Sequence, residues 1–332
     1  MREVKNSMEI REKVYDLIKV AIDFHTSDIF ILPKKDLMVI SFRKEAGLEV
    51  CEKYPSDQGR EIINFFKYAA QMDISEHRRP QVGAMVFEYQ GQEYYLRLSS
   101  LGDFNDQESL VIRIIYQTST SNYFFPEQLQ KLKSLAKKRG LILTSGPTGS
   151  GKTTTMYELA KDLGKDKVVM TIEDPVEVHE EKFFQTQVNV DAEIDYVSLL
   201  KAALRHRPDI LIVGEIRDQG TARLAVDAAL SGHLVFATVH AKSTIQTISR
   251  LEGLGITREE LLNCLTAVSY QRLIPAANGH LSCLIDIASE KQLLAEIQDE
   301  LRGDFIGWKE NLNKLHLEEM IDDEIFELYQ EG

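Results

Sequence analysis

The sequence predicts an α/β protein in two parts: a smaller α+β domain, then a domain built on a mainly parallel sheet. Two observations carry this expectation. Up to Ile115, helical and β-type stretches come in separate blocks, as in an α+β domain. Beyond Glu127, apolar runs alternate with amphipathic stretches, the pattern of parallel strands joined by helices. The 332 residues, 43% of them hydrophobic, are enough for two cores.

Taken in order, Ser7 to Asp28 carries Val14, Leu17, Ile18, Ala21 and Ile22 at helical spacing. DIFILP, LMVISFR and LEVCEKY read as strands, and GREIINFFKYAAQMD returns to helix. MVFEYQGQEYYLRLSS reads as a hairpin turning near Gln90-Gly91, and SLVIRII closes a domain spanning 1–115. The polar, aperiodic YQTSTSNYFFPE, 116–127, is the expected linker. In 128–274, LILTSG, VVMTIED, ILIVGEI and HLVFATV suit strands buried on both faces. DYVSLLKAALRH and TARLAVDAALSG are the helices between them, the second ending at a C-cap Gly232. ITREELLNCL opens with capping-box spacing, Thr257 to Glu260. The segment 275–332 is expected to be a mainly helical part of the same domain; it turns acidic beyond Ser289 and holds the single tryptophan, Trp308, and a small solvated helical bundle is the plain reading of its tail.

A net charge of -13 argues against a nonspecific nucleic-acid binder, and no direct nucleic-acid binding is expected. The charged start MREVKNSMEIREK is no signal peptide, and no apolar run reaches membrane-spanning length, so a cytosolic protein is expected. Cys51, Cys264 and Cys283 form no CxxC pair, which predicts neither disulfides nor zinc.

GPTGSGKT, Gly146 to Thr153, fits G-x-x-x-x-G-K-[ST] between an apolar strand and an amphipathic helix. Gly146, Pro147, Thr148, Gly149, Ser150 and Gly151 would turn backbone N–H groups around phosphate oxygens, at a helix N-terminus that includes Thr154. Lys152 supplies a charge near the terminal phosphates and the Thr153 hydroxyl a ligand for Mg²⁺, which makes ATP and Mg²⁺ the expected cofactors.

Such a loop needs carboxylates on neighbouring strands, to hold the hydrated metal and to orient or deprotonate water. Two apolar runs end in acid: VVMTIEDP offers Glu173 and Asp174, and ILIVGEIRD offers Glu215 and Asp218. Both fall where ligands bind in open α/β sheets. Glu215 is expected to activate water and join the metal shell, with Glu173 the alternative base. Gly214 before it suggests either close backbone approach or packing. His233 and His240 bracket the run LVFATV and are candidates to report nucleotide state. Arg205, Arg207, Arg217 and Arg223 are cations near the nucleotide or a subunit boundary. In the first domain Arg97 and Arg113 sit in two apolar strands, either solvated or placed to clamp phosphates from outside.

TSGPTGSGKTTT, TIEDPVE, RPDILIVGEIRD and SGHLVFATVHA, in this order, resemble the motor ATPases of type II secretion, type IV pilus and competence systems. The resemblance covers Leu141 to Leu273 and extends into the first domain through SDIFILP, RRPQVG and the two arginine strands. It implies a RecA-like P-loop domain preceded by a PAS-like domain, with TIEDPVE, GEIRD and SGHLVFATVH as its Asp box, Walker B and His box. It implies a homohexamer on the cytoplasmic face of the membrane that turns a polytopic platform protein and so adds pilin subunits. It further implies that Arg97 and Arg113 reach ATP on ring closure. The QRL segment lacks the tetracysteine insert of many assembly ATPases, so no zinc is expected, and a short zinc-free chain is most similar to the competence-pilus ATPases of Gram-positive bacteria. SDIFILP and Gln219-Gly220-Thr221 after GEIRD depart from the family's usual forms. GEIRD, RRPQVG and YYLRLSS favour an assembly motor over a retraction motor, with a RecA-like DNA translocase and a non-catalytic relative as further alternatives.

Overall fold

The computed structural model describes residues 2–44, 47–116, 122–189, 193–299 and 302–332. It divides into two compact units, Met1–Gln117 and Thr118–Gly332. Among the described residues no helix is long and apolar enough to cross a membrane.

The first unit runs α1 (Arg2–Asp23), β1 (Asp28–Lys34), β2 (Leu37–Lys44), β3 (Gly47–Pro55), α2 (Ser56–Ala69), β4 (Gln81–Tyr89), β5 (Gln92–Gly102) and β6 (Glu108–Ile115). Its antiparallel sheet has the order β3-β2-β1-β6-β5-β4. The expected periodicities set the core: Val14, Leu17, Ile18 and Ile22 of α1 and Phe66 of α2 join Ile29, Ile31, Ile40, Leu96, Leu98 and Ile112. Leu96 and Leu98 face inward, so Arg97 between them lies on the other face. The hairpin turns where expected: Gln90 (φ 53°) and Gly91 (φ 76°) are both left-handed, the twist that a two-residue loop requires. Lys67 and Glu108 form an ion pair of 2.6 Å buried in this unit.

The second unit runs α3 (Pro126–Ala136), β7 (Gly140–Ser145), α4 (Lys152–Leu163), β8 (Val169–Glu173), β9 (Phe184–Gln187), α5 (Tyr196–Arg205), β10 (Ile210–Val213), α6 (Gln219–Leu230), β11 (Leu234–Val239), α7 (Gln246–Gly253), α8 (Arg258–Cys264), β12 (Leu265–Pro275), β13 (Leu281–Ser289), α9 (Glu290–Gln298), α10 (Trp308–Leu317) and α11 (Asp323–Tyr329). The sheet order is β13-β12-β7-β11-β10-β8-β9, parallel except for the β12–β13 pair. β10 and β11 are buried at every position, which explains runs such as ILIV and LVFATV. Because all strands but β13 point the same way, the loops after β7, β8, β10 and β11 gather at one sheet edge.

Three departures from the sequence reading stand out. β9, β12 and β13 add strands that the sequence reading did not single out. Of the expected linker, 117–121 lies outside the described residues, while Phe124 and Phe125 are buried and Pro126 begins α3. The acidic tail belongs to the second unit but is not a solvated bundle on it: Leu293 and Ile297 enter the main core, and Trp308, Leu312 and Leu315 pack on Tyr270, Ile274 and Leu284.

Candidate active site

A cleft of about 450 Å³ opens at the carboxyl edge of the sheet, a volume in the range of small-ligand sites. It is lined by Thr148 to Thr154 of the glycine-rich loop and by Glu173, Asp174, Glu177, Tyr196, Gly214, Glu215, Arg217, Thr238 and His240. The loop leaves β7 at Gly146, whose φ of 141° suits glycine, and an added Cβ would lie 2.4 Å from the Gln271 carbonyl. The loop ends as α4 begins, and no side chain caps that helix. Its first N–H groups are therefore left to an anion.

Lys152 Nζ donates to the carbonyls of Gly146 (3.0 Å) and Pro147 (2.8 Å). Burial pushes its pKa below the ordinary lysine value, opposed by the charges of Glu215 and Glu177. A partly desolvated ammonium beside free backbone donors suits a phosphate chain. The Thr153 hydroxyl donates to Glu177 Oε2 at 3.4 Å, which places an oxygen pair suited to a hard cation at the loop's end. Among the described residues no group of three or more His, Cys, Asp or Glu could hold a metal alone. A Mg²⁺ here would share its shell with phosphates and water.

The acids differ in setting. Glu215 follows the end of β10, with Arg217 Nε donating to its Oε2 at 2.7 Å and His240 Nε2 lying 3.1 Å from its Oε1. Arg217 also reaches Asp174 Oδ2 at 3.3 Å and so ties the two strand ends together. Glu173, by contrast, is 3% exposed. Its Oε1 accepts from the hydroxyls of Tyr157 and Thr171, both at 2.6 Å, with Gln185 Nε2 at 3.5 Å. Burial raises its pKa, opposed by those three donors.

Gly214 is a close-approach glycine. Its N–H donates to the Ile172 carbonyl at 2.7 Å and its carbonyl accepts from Thr238 Oγ1 at 2.5 Å. A Cβ there would meet the Ile172 carbonyl at 3.1 Å and the Tyr196 hydroxyl at 3.2 Å. The glycine lets β10 lie tight against β8, and so fixes where Glu215 emerges.

The structure therefore brings Gly146 to Thr154, Glu173, Glu215 and His240 together. It does not bring His233 to them. That residue precedes β11, with Nδ1 3.0 Å from the Ala228 carbonyl, at the strand end opposite the cleft. Six strand residues separate the two histidines by roughly 20 Å. Of the other arginines, Arg223 pairs with Glu260, away from the cleft lining. Arg97 and Arg113 belong to the first unit, where they face each other across β5 and β6, and Arg113 Nε donates to Asp28 Oδ1 at 2.8 Å. Sequence reasoning missed Glu177, Tyr196, Tyr157 and Gln271. Only Glu177 carried a signal, as the last acid of TIEDPVE.

Comparison with known proteins places this geometry. The family model "Type II/IV secretion system protein" matches residues 3–300. The competence protein ComGA of Streptococcus pneumoniae is 39% identical over 308 residues, covering 92% of this chain and 94% of that protein. ComGA of Bacillus subtilis is 38% identical over 278 residues, covering 81% of this chain and 78% of that protein. Among solved structures, the pilus retraction motor PilT with bound ADP superposes with a TM-score of 0.74 at 25% identity, over 94% of this chain and 95% of that one. The Legionella pneumophila ATPase DotB shares the fold, with a TM-score of 0.75 at 20% identity over 94% and 93% of the two chains. By fold, cleft and relatives, the chain is an ATP hydrolase that belongs to the type II/IV secretion system protein family.

Proposed function

We propose that the chain is the ATPase that powers assembly of a competence-type pilus for DNA uptake, working as a homohexamer on the cytoplasmic face of the membrane. The observation that carries the reading is the cleft, in which an uncapped helix N-terminus and Lys152 face Glu215 across the sheet edge. The near-full-length similarity to two competence proteins supports the choice of filament.

In this reading the loop amides and Lys152 hold the phosphates of ATP. Thr153, with Glu177 or Glu215 through water, would hold Mg²⁺, which neutralises phosphate charge when bound. Glu215 accepts the proton of the attacking water, because it is the more accessible of the two acids that line the cleft, while Glu173 is buried with one oxygen taken by three donors. Arg217 and His240, one on each oxygen of Glu215, orient it. Glu173 then acts on the frame of the site rather than on water. Arg97 and Arg113 offset charge on the transferring phosphate from the first unit of the ring. The ring acts on a polytopic platform protein, and through it on pilin subunits.

The test is genetic and visual. Cells lacking the chain should show no surface filaments and no DNA uptake, and Lys152→Ala should restore neither. Excess filaments in the deletion strain would identify a retraction motor instead. Normal filaments with Lys152→Ala would overturn the motor reading.

A further inference from the structure

The first described residues of the second unit, Asn122 to Phe125, are fastened toward the nucleotide loop by two routes that meet at this segment. Along the first, the Tyr123 hydroxyl donates to Glu158 Oε2 at 3.0 Å and lies 3.3 Å from Thr155 Oγ1. Both partners sit in the first two turns of α4, the helix that opens with Lys152. Burial lifts the phenol pKa above its ordinary value, so the hydroxyl keeps its proton.

Along the second route, the Cys283 N–H donates to the Asn122 carbonyl at 2.7 Å, and the Phe124 N–H donates to the Cys283 carbonyl at 3.0 Å. Cys283 Sγ lies 3.5 Å from Gln271 Nε2, and the same amide group donates to the Ser150 carbonyl inside the glycine-rich loop at 2.7 Å. Gln271, Cys283 and Ser150 are all buried. Among the described residues, Gln271 Oε1 and Ser150 Oγ are buried without a hydrogen-bond partner. Buried polar atoms without partners favour any rearrangement that supplies one. The loop end of this route is therefore poised to shift when phosphates reset the loop.

We propose that Tyr123 is a positioning residue that couples segment Asn122–Phe125 to occupancy of the glycine-rich loop, so that nucleotide binding tightens the backbone bonds between this segment and Cys283. The inference rests on the reading that the loop binds Mg-ATP. Phosphates that order the first turn of α4 also order Thr155 and Glu158, and through them the phenol. A well-packed contact passes on such a change instead of absorbing it.

Hydrogen–deuterium exchange of the full chain tests this, read at the Phe124 and Cys283 amides with and without Mg²⁺ and a non-hydrolysable ATP analogue. Analogue binding is measured separately by fluorescence, with Lys152→Ala as the non-binding control. In the wild type, the analogue should slow both amides about fivefold or more. Tyr123→Phe keeps the ring and should still bind analogue, yet lose most of that protection. Glu158→Ala, which removes the acceptor, should do the same. Equal exchange in wild type with and without bound analogue would overturn the proposal, as would full protection in Tyr123→Phe and Glu158→Ala. Failure of the wild type to bind analogue at all would overturn the parent reading, and the proposal with it.

Discussion

Gly214 sits where β10 runs close against β8, its N–H donating to the Ile172 carbonyl at 2.7 Å, and Glu215 leaves the strand beside it. The added-Cβ contacts at 3.1 and 3.2 Å show close approach, with the carboxylate held on both oxygens. Gly214→Ala should push Glu215 by a few tenths of an ångström and lower ATP turnover about tenfold to a hundredfold, with little change in ATP affinity. Steady-state kinetics beside equilibrium nucleotide binding would separate the two effects. The glycine-rich loop was fully legible because it is local, six residues between one strand and one helix. Tyr196 and Gln271 were not, because each reaches the site from a distant stretch, and nothing in the chain order announces their contact; Tyr157 is close in sequence, one turn past Thr153 on α4, but its bond to Glu173 depends on where β8 lies. His233 and His240 looked equivalent in sequence, and only the direction of β11 separates them. The cysteines give a second residue-level test. Burial pushes the thiols of Cys264 and Cys283 up to about 12, while Cys51 is exposed. A thiol reagent at pH 8 should therefore label one cysteine per native chain and three after denaturation, counted by mass spectrometry. Because the two buried thiols have raised pKa values, their contribution to stability is intact below the ordinary thiol value and is lost as pH rises toward 12.

Among the elements, α8 was read correctly from four residues. Thr257 accepts from the Glu260 N–H at 3.3 Å, and the Glu260 side chain accepts from the Thr257 N–H at 2.9 Å. The same carboxylate pairs with Arg223 of α6, so one cap also joins two helices. Thr257→Ala should cost about 1 kcal/mol. That would lower the melting temperature by roughly 2–4 °C for a unit of this size, as calorimetry would register. The Arg223 guanidinium, followed by the Thr257 hydrogen bonds, holds Glu260 down from 4.5 to about 2. Its folded pKa is depressed, so the stabilisation is present above the ordinary carboxylate value and fades as pH falls from there toward 2. The β12–β13 hairpin was less legible, although Asn278-Gly279 at its turn is a recognised hairpin signal. The tail misled for a physical reason. Helices α9 and α10 are polar on one face and apolar on the other, and composition averages the two.

For the whole molecule, the two-part architecture was legible because the hydrophobic period changes along the chain, from segregated helices and strands to strand–helix alternation. Sheet order was not, since neighbouring strands such as β7 and β11 lie far apart in sequence. That order brings the ends of β7, β8, β10 and β11 to one edge, and it makes a catalytic cleft out of four separate motifs. The role proposed for Arg97 and Arg113 belongs to this scale, because it needs the assembled ring. Arg97→Ala should lower turnover of the assembled protein at least tenfold while leaving its melting temperature unchanged. An equal loss of stability would reduce the arginine to a structural residue. In the proposed mechanism Glu215 drives ATP hydrolysis at a loop that Lys152 equips to bind it. Steady-state Mg-ATP hydrolysis by the full chain, beside Glu215→Gln and Lys152→Ala, is the decisive measurement. Measurable turnover is expected in the wild type, with a fall of about a hundredfold to a thousandfold in Glu215→Gln while ATP still binds, and loss of binding in Lys152→Ala. Unchanged turnover in Glu215→Gln would contradict this mechanism.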